Sequence, residues 1–593
     1  MSLTFSLKTA LSGLQLSQAA MSSTSNNVAN ANTPGYTRKS VEPIARTVAG
    51  AGAGVQLGEL RRSVDERLIR EVREANAMLG SYTIKAGYMD RVQNLFGKPG
   101  DNSSIANRID EFATAVAGLS STPESATERI KMINEAQKVA QQLNDMSEAI
   151  QRMRLDADAE INQAVGVINE QLETIVRLNA EIAQIKGQGQ PAVELEDERD
   201  NALDTISQYM EINYFQRGSG EIVVYTPEGT VLADSVAKTF TYNPAAVMSP
   251  TISYGAGISG INAGAIDLTN RIEEGRLAGL IAMRDTELPE LQAELDRLTE
   301  QLRDQINAVH NQGTGNPAAN TLNGQRTFGD ITVDNIVIDE AVRFTVVDAD
   351  GLTVNSALMP AGTYSAEEVQ DWVNANLPGA TATVSNGNGL QITATDPTQG
   401  IAIVDSPNQS ITDGAVTVES LSHYFGLNDF FVTNGNVTGD ATTGISQILE
   451  VRSDIVSDPH LISRGRLDIN AATAGDVAIA AGDNSIITAL AEKFDEDLQI
   501  QAAGGLPLSR TTLSGYGADI LANAAMEASS ASTKQSFQNT LSQEMEFRRS
   551  GVSGVNVDEE MANLILYQNA YSASARVIDV ARQMFDTLDG IMR

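Results

Sequence analysis

The 593-residue chain contains no cysteine, one tryptophan and three histidines. Without cysteine there are no disulfides, no thiolate metal sites and no cysteine nucleophile. His310, His423 and His460 are far apart in sequence, and none has a partner at metal-ligand spacing. No G-x-S-x-G, P-loop or H-E-x-x-H segment occurs. The expectation is a protein that is not an enzyme, with no catalytic residues, no metal and no cofactor. Positive charge is scarce as well: 41 Lys and Arg stand against 76 Asp and Glu, a formal net charge of -35. Nucleic acid and anionic membrane both reward clustered cations, so neither is an expected partner. Apolar runs fall short of the roughly 18 residues that a spanning helix needs. The N-terminus has one Lys ahead of only short apolar stretches, so neither membrane insertion nor a cleaved secretory leader is expected.

What the chain does have is periodicity at both ends. Leu564, Tyr567, Tyr571, Ser574, Ile578, Ala581, Phe585, Leu588 and Met592 follow one another at alternating steps of mostly three and four. Leu3, Leu7, Ala10, Leu14, Ser17, Met21, Thr24 and Val28 do the same at the other end. Each set predicts a long helix with one largely apolar face, and the two faces are expected to pair. A lone helix of this kind buries too little to offset the entropy of ordering it. The ends are therefore expected to be poorly ordered in a free monomer and to become helical as many copies pack. That makes assembly the function class, with Leu3, Leu7, Leu14, Met21, Val28, Leu564, Tyr567, Tyr571, Ile578, Ala581, Phe585 and Leu588 as candidate interface residues. Asn30, Asn32, Thr33, Pro34, Gly35 and Tyr36 join them from the segment NNVANANTPGYTR. There Pro34 holds Thr33 away from helical angles and Gly35 admits positive φ, so the helix should end near Val28 and the turn should set an inter-domain angle.

The interior divides by pattern, and the fold class expected is α+β, mainly α, with nested domains. Residues 1–48 with 552–593 form a terminal helical inner-core domain. Residues 49–325 with 421–551 form a helical bundle with a small β element near 211–262, and 326–420 form a β-rich outer lobe. Ala49 to Gly54, alternating Ala and Gly, is expected to be a flexible joint. Helices are expected from about 60 to 185, one of them starting at Ser121-Thr122-Pro123-Glu124 with Pro in its first turn. Leu288, Leu291, Leu295, Leu298, Leu302 and Ile306 keep helical spacing, and His310 beyond them is expected to steady that helix end through its proton. Pro227-Glu228-Gly229, Asp350-Gly351 and Asn388-Gly389 are read as turns between strands. Asp348-Ala349-Asp350-Gly351 lacks the ligand spacing of a calcium loop. From about 420 to 550 the pattern is expected to return to helix.

NNVANANTPGYTR behind an apolar-striped N-terminus, with SGVNVDEEMANLILYQNAYSASARVI near the C-terminus, resembles the bacterial flagellar axial proteins, the rod, hook and hook-associated group. GVQLGELRRSVDERL (Gly54 to Leu68), DERD (Asp197 to Asp200), GRLAGLIAMRD (Gly275 to Asp285), NAVHNQG (Asn307 to Gly313) and HYFGLND (His423 to Asp429) narrow the resemblance to the members at the hook-filament junction. It covers most of the chain and is weakest from about 214 to 270 and from about 330 to 420. Glu198 stands where the family tends to have Gln, a change expected to be tolerated on a surface. The resemblance implies a structural adaptor of the extracellular flagellum that assembles at the distal end of the hook and joins hook to filament. Its implied partners are further copies of itself in a ring, the hook protein below, the second hook-filament junction protein above, an export chaperone and the type III export apparatus. The 326–420 lobe would sit on the outside of the tube. The alternatives are a hook or rod protein of the same group, or a secreted cell-wall hydrolase. DERD and NAVHNQG speak against the first, and the lack of a recognisable acid and base pair speaks against the second.

Overall fold

A computed structural model describes residues 3–48, 51–97, 104–333, 336–406, 409–414 and 416–592. Helix α1 (Leu3–Ala29) leads into an antiparallel hairpin of β1 (Lys39–Val48) and β2 (Ala51–Arg62). The alternating Ala-Gly stretch is thus no flexible joint, because Ala51 and Gly52 pair with Val48 and Thr47 in the hairpin; Ala49 and Gly50 lie outside the described residues. The small residues serve close approach. A Cβ on Gly54, whose φ is +92°, would come within 2.5 Å of the Ser12 Oγ of α1.

The body follows with α2 (Glu66–Phe96), α3 (Ile105–Ser121), α4 (Ala126–Gly187) and α5 (Val193–Tyr209). Two helices expected in the 122–186 region are one, since α4 runs 62 residues with no Pro inside it. Its cap is Ser125, whose Oγ accepts the Glu128 N–H at 3.3 Å, so Pro123 lies before the helix rather than in its first turn. A three-stranded meander of 213–216, 222–225 and 231–233 comes next, turning at Gly229 with φ +87°. Helix α6 (Arg276–Ala282) passes through a π-helical turn at 283–287 into α7 (Leu288–His310). Its six expected apolar residues, from Leu288 to Ile306, are all buried in one core shared by α2 to α7. His310 is fully buried too. Its Nδ1 lies 2.6 Å from the Asn428 carbonyl oxygen and its Nε2 accepts the Ser463 N–H at 3.0 Å. Burial pushes its pKa down to about 4, so it is neutral and carries no proton charge to the helix end.

The lobe holds α8 (Ala366–Asn376) and α9 (Leu421–Phe425) among short antiparallel sheets, around a separate core reaching from Leu322 to Leu427. Strands 342–347 and 353–359 are joined at Gly351, φ +79°, where Asp348 Oδ1 accepts the Asp350 and Leu352 N–H groups. The second expected turn is displaced. Gly387 has the positive φ of +80°, whereas a Cβ on Gly389 would sit 2.1 Å from the Gly324 carbonyl oxygen. From 426 to 484 the chain is mostly irregular with only short elements such as α10 (Ser453–Ser457), not the helix expected. Its density of Gly, Asn, Asp and Thr, as in Thr433 to Gly444, favours turns. Leu467, Ala471, Ala478 and Ile479 in this stretch strap across the lobe residues Val347, Ala402 and Val404. Helix α11 (Ser485–Asp495) and α12 (Leu513–Ser553) rejoin the body core, and α13 (Val557–Met592) runs back beside α1. The architecture is mainly α with nested β elements.

Candidate assembly site

The α1 and α13 helices pair antiparallel, with Asn27 beside Glu560 and Gly13 beside Ser574. Small residues set the approach: a Cβ on Gly13 would lie 3.2 Å from Ser574 Oγ, and Ala10, Ser17, Ala20 and Ala581 are buried nearby in the same pair. Leu3, Leu7, Leu14, Met21 and Val28 are half-buried, and Ala10, Ser17 and Thr24 of the same stripe are buried. On α13 the face of Leu564, Tyr567, Tyr571, Ser574 and Ile578 is half-buried and Ala581 is buried. Both terminal helices are therefore formed and matched within one chain. Phe585 and Leu588 are 41% and 48% exposed.

The base of this pair is held by Asn27, which is buried between the exposed Asn26 and the half-buried Val28. Its Nδ2 donates to the Lys39 carbonyl at 2.8 Å and to Glu560 Oε2 at 3.0 Å, while its Oδ1 accepts from Lys39 N–H and the Tyr36 hydroxyl, each at 3.0 Å. One amide thus ties α1 to β1 and to α13. Asn556 caps α13 by accepting the Asp558 and Glu559 N–H groups. Arg38 reaches Glu560 at 2.8 Å through its side chain, and its N–H donates to the Ser553 carbonyl at 2.7 Å.

From there an ion-pair network crosses to α5. The buried Lys39 Nζ lies 2.6 Å from Glu194, 2.9 Å from Asp197 and 3.5 Å above the Tyr36 ring. Thr37 donates to Asp197 through its N–H and its hydroxyl. Arg62 at the end of β2 pairs with Glu196, Asp197 and Asp200 at 3.2, 3.0 and 2.6 Å. Arg73 of α2 joins Asp200 and Asp204, and Arg549 of α12 joins Asp204 at 2.7 Å. Lys39, Arg62, Arg73 and Arg549, from four elements, converge on one acidic helix, whose Glu196 also pairs with Lys186 at 2.6 Å and whose first turns already favour negative charge. Burial would raise Asp200, but Arg62 and Arg73 hold its carboxyl below the usual range. Burial, with Glu194 and Asp197 adding to it, lifts the Tyr36 phenol to about 12.

The turn residues singled out from sequence divide into two groups. Asn30 is half-buried, while Asn32, Thr33, Pro34 and Gly35 are exposed. Asn30 and Thr33 shape the turn locally through the Asn30 bond to the Asn26 carbonyl and the Thr33 bond to Asn30. Gly35 has φ +76°, a left-handed backbone that favours glycine, and a Cβ there would fall 1.8 Å from Asn201 Oδ1 of α5, so a side chain would have to displace that amide. Tyr36 is the member of the set that enters the network. Sequence reasoning missed Asn27, Lys39, Arg62, Arg73, Asp204, Arg549 and Glu560. It singled out DERD without seeing that Asp197 and Asp200, three apart, share the inward face. Glu198 of the same motif faces outward to Arg177 with its side chain 53% exposed. Among the described residues no group of three or more His, Asp or Glu is placed to hold a metal ion, and no helix is long and apolar enough to cross a membrane.

Three family models match this chain. One, described as Flagella basal body rod protein, matches residues 7–37. The second, Flagellar hook-associated protein FlgK helical domain, matches 89–328, and the third, Flagellar basal body rod FlgEFG protein C-terminal, matches 551–591. The chain is 24% identical to Flagellar hook-associated protein 1 of Salmonella typhimurium over 589 residues, covering 98% of each. To the protein of that name in Bacillus subtilis it is 26% identical over 594 residues, 98% of this chain and 96% of the relative. A solved structure of the flagellar hook junction protein FlgK from Burkholderia pseudomallei aligns with TM-score 0.48 and 15% identity, covering 82% of this chain and 100% of that one.

Proposed function

The chain belongs to the flagellar hook-associated protein 1 family, and from that premise we propose that it is a structural adaptor which assembles at the distal end of the hook and joins hook to filament. The observation that carries this reading is the paired α1 and α13, anchored at one end to the helical body by the α5 network and leaving most of the α13 surface uncovered. The two ends match rod-type models, while the body matches the hook-associated helical domain. A shared axial end on a junction-specific body is what an adaptor between two tubes requires. Its role is mechanical rather than catalytic. It sits outside the cell at the hook-filament junction as a ring of copies, with the hook protein below and the second junction protein above. Type III export delivers it, and a chaperone shields the C-terminal helix beforehand, since so long an exposed apolar face is an aggregation hazard. Cells lacking the chain should carry bare hooks and release filament protein into the medium, and restoring it should restore filaments. Filaments of normal length and attachment without it would overturn the reading.

A further inference from the structure

A cleft of about 710 Å³ opens where the lobe meets the strap, within the size range of small-molecule pockets. Part of its lining is apolar, since Val404 of the lobe and Leu467 of the strap are both buried there in one cluster. Beside them stand hydrogen-bond acceptors that want for donors. Asp405, the half-buried last residue of strand Gly400–Asp405, accepts the Leu421 N–H on Oδ1 at 2.9 Å, its side chain's one hydrogen bond among the described residues. Gln409 is 5% exposed. Its Nε2 donates to the Ser410 carbonyl at 3.2 Å, while its Oε1 has no partner among the described residues. Glu419 and Asp468 bring two further carboxylates to the exposed side of the cleft. The one cation among the lining residues, Arg466, already donates its guanidinium to the Gln312 side-chain oxygen.

We propose that this cleft binds an aliphatic primary amine in its ammonium form, with the charged head on Asp405 and Gln409 and the alkyl stem on Val404 and Leu467. The inference is independent of the assembly reading. An ammonium presents three N–H donors and no acceptor, which complements a lining whose Asp405 and Gln409 Oε1 lack donors. A buried polar atom left without a partner costs free energy, and the ligand removes that cost. An anion would meet three carboxylates, and a neutral alcohol brings one donor and no charge. A metal ion is a poorer fit, because among the described residues no group of three or more His, Asp or Glu is placed to hold one. Burial lifts the Asp405 carboxyl to about 7, against the Leu421 bond and Arg466, which lower it. Arg466, Glu419 and Asp468 are the other charged groups on the cleft. An alkyl ammonium stays charged to about pH 10, so Asp405 sets the pH dependence, and binding should be about tenfold tighter at pH 8 than at pH 6.

Calorimetric titration of the full-length chain with pentylamine, and with pentanol as the uncharged control, tests the site. The expected result is saturable binding of one pentylamine per chain, tightening from pH 6 to pH 8, with no comparable binding of pentanol. D405N should weaken binding at pH 8 by tenfold or more and flatten the pH dependence, and Q409L should weaken it several-fold. E492Q, which removes an exposed carboxylate on α11, should bind as the parent does. Tighter binding of the amide of Nα-acetyl-lysine than of pentylamine would support the site with a protein lysine as its source, and the reverse order supports a free amine. Unsaturable binding, or equal weakening by D405N and E492Q, would overturn the site in favour of general attraction to a chain of net charge -35. Pentanol binding as tightly as pentylamine would overturn it too. Trp372 fluorescence reports whether each variant keeps its lobe. If D405N does not, Q409L decides, and unchanged binding there sinks the proposal.

Discussion

Glu294 shows what a single buried group does to this protein. It is fully buried on α7, its Oε1 accepting the Gly505 N–H at 3.0 Å and Asn523 Nδ2–H at 2.8 Å, while Oε2 has no hydrogen-bond partner. Burial outweighs those two bonds and lifts its pKa to about 8. A raised native pKa contributes stability that is intact below the unfolded value near 4.3 and is lost as pH rises through 8. E294Q keeps the Oε1 acceptor and abolishes the titration. It should leave stability at pH 4.5 little changed and raise it at pH 8.5 by up to about 5 kcal/mol relative to the parent chain. Denaturant unfolding at both pH values checks this, and an equal gain at both would rule out titration as the cause. In the α5 network, K39M removes a buried cation from between Asp197 and the Tyr36 ring. Leaving Asp197 with Arg62 as its remaining cation should cost on the order of 3 kcal/mol, the low end for a broken buried pair. Hydrogen exchange should show the loss confined to residues 27–39 and 194–204, with the α3 and α4 core unaffected. G35V meets both the left-handed backbone and Asn201, so it should impair incorporation into the flagellum more than it lowers soluble yield. Equal losses would indicate a plain folding defect.

Helices were the legible elements, because their spacing is local. The α1 face and the α13 face toward it can be counted from the sequence, and so can the Leu288 to Ile306 stripe of α7. The exposed apolar residues Val577 and Val580 of α13 stayed hidden, since a count started at Leu564 follows one face and steps over them. Hairpin β1–β2 was obscured because its alternating Ala and Gly look flexible when the α1 surface they press against is not in view. The strap from Leu467 to Ile479 and the convergence on α5 depend on contacts more than sixty residues apart in sequence, which no local pattern encodes. This division bears on where α13 can be altered. Phe585 and Leu588 are exposed, so F585D or L588D should change the stability of the free chain by no more than about 0.5 kcal/mol. In the assembly proposed above, the same carboxylate should be desolvated at a cost of several kcal/mol. Thermal melts of the variants should match the parent while motility is lost and subunits accumulate unassembled in the medium. Normal filaments on either variant would show that the end of α13 makes no assembly contact.

The whole molecule is a chain that goes outward and returns, so that its two ends finish together while the lobe is an excursion from the body. The lobe core from Leu322 to Leu427 and the body core of α2 to α7, α11 and α12 are separate clusters, and the small strap around Val347, Ala402 and Val404 is a third. Separate cores of this kind are expected to unfold separately unless the strap couples them. Composition supplies the probe, for the single tryptophan, Trp372, sits on α8 against the lobe core with its ring 5.7 Å from Phe344. Its fluorescence reports the lobe, whereas far-ultraviolet circular dichroism is dominated by the long helices of the body and ends. The two signals should therefore give different midpoints in urea, with fluorescence changing over a range where most helix persists. L467A, which trims the strap without touching either main core, should then shift the fluorescence midpoint and leave the dichroism midpoint in place. Coincident transitions in the parent chain that separate in L467A would instead show that the strap welds lobe and body into one cooperative unit.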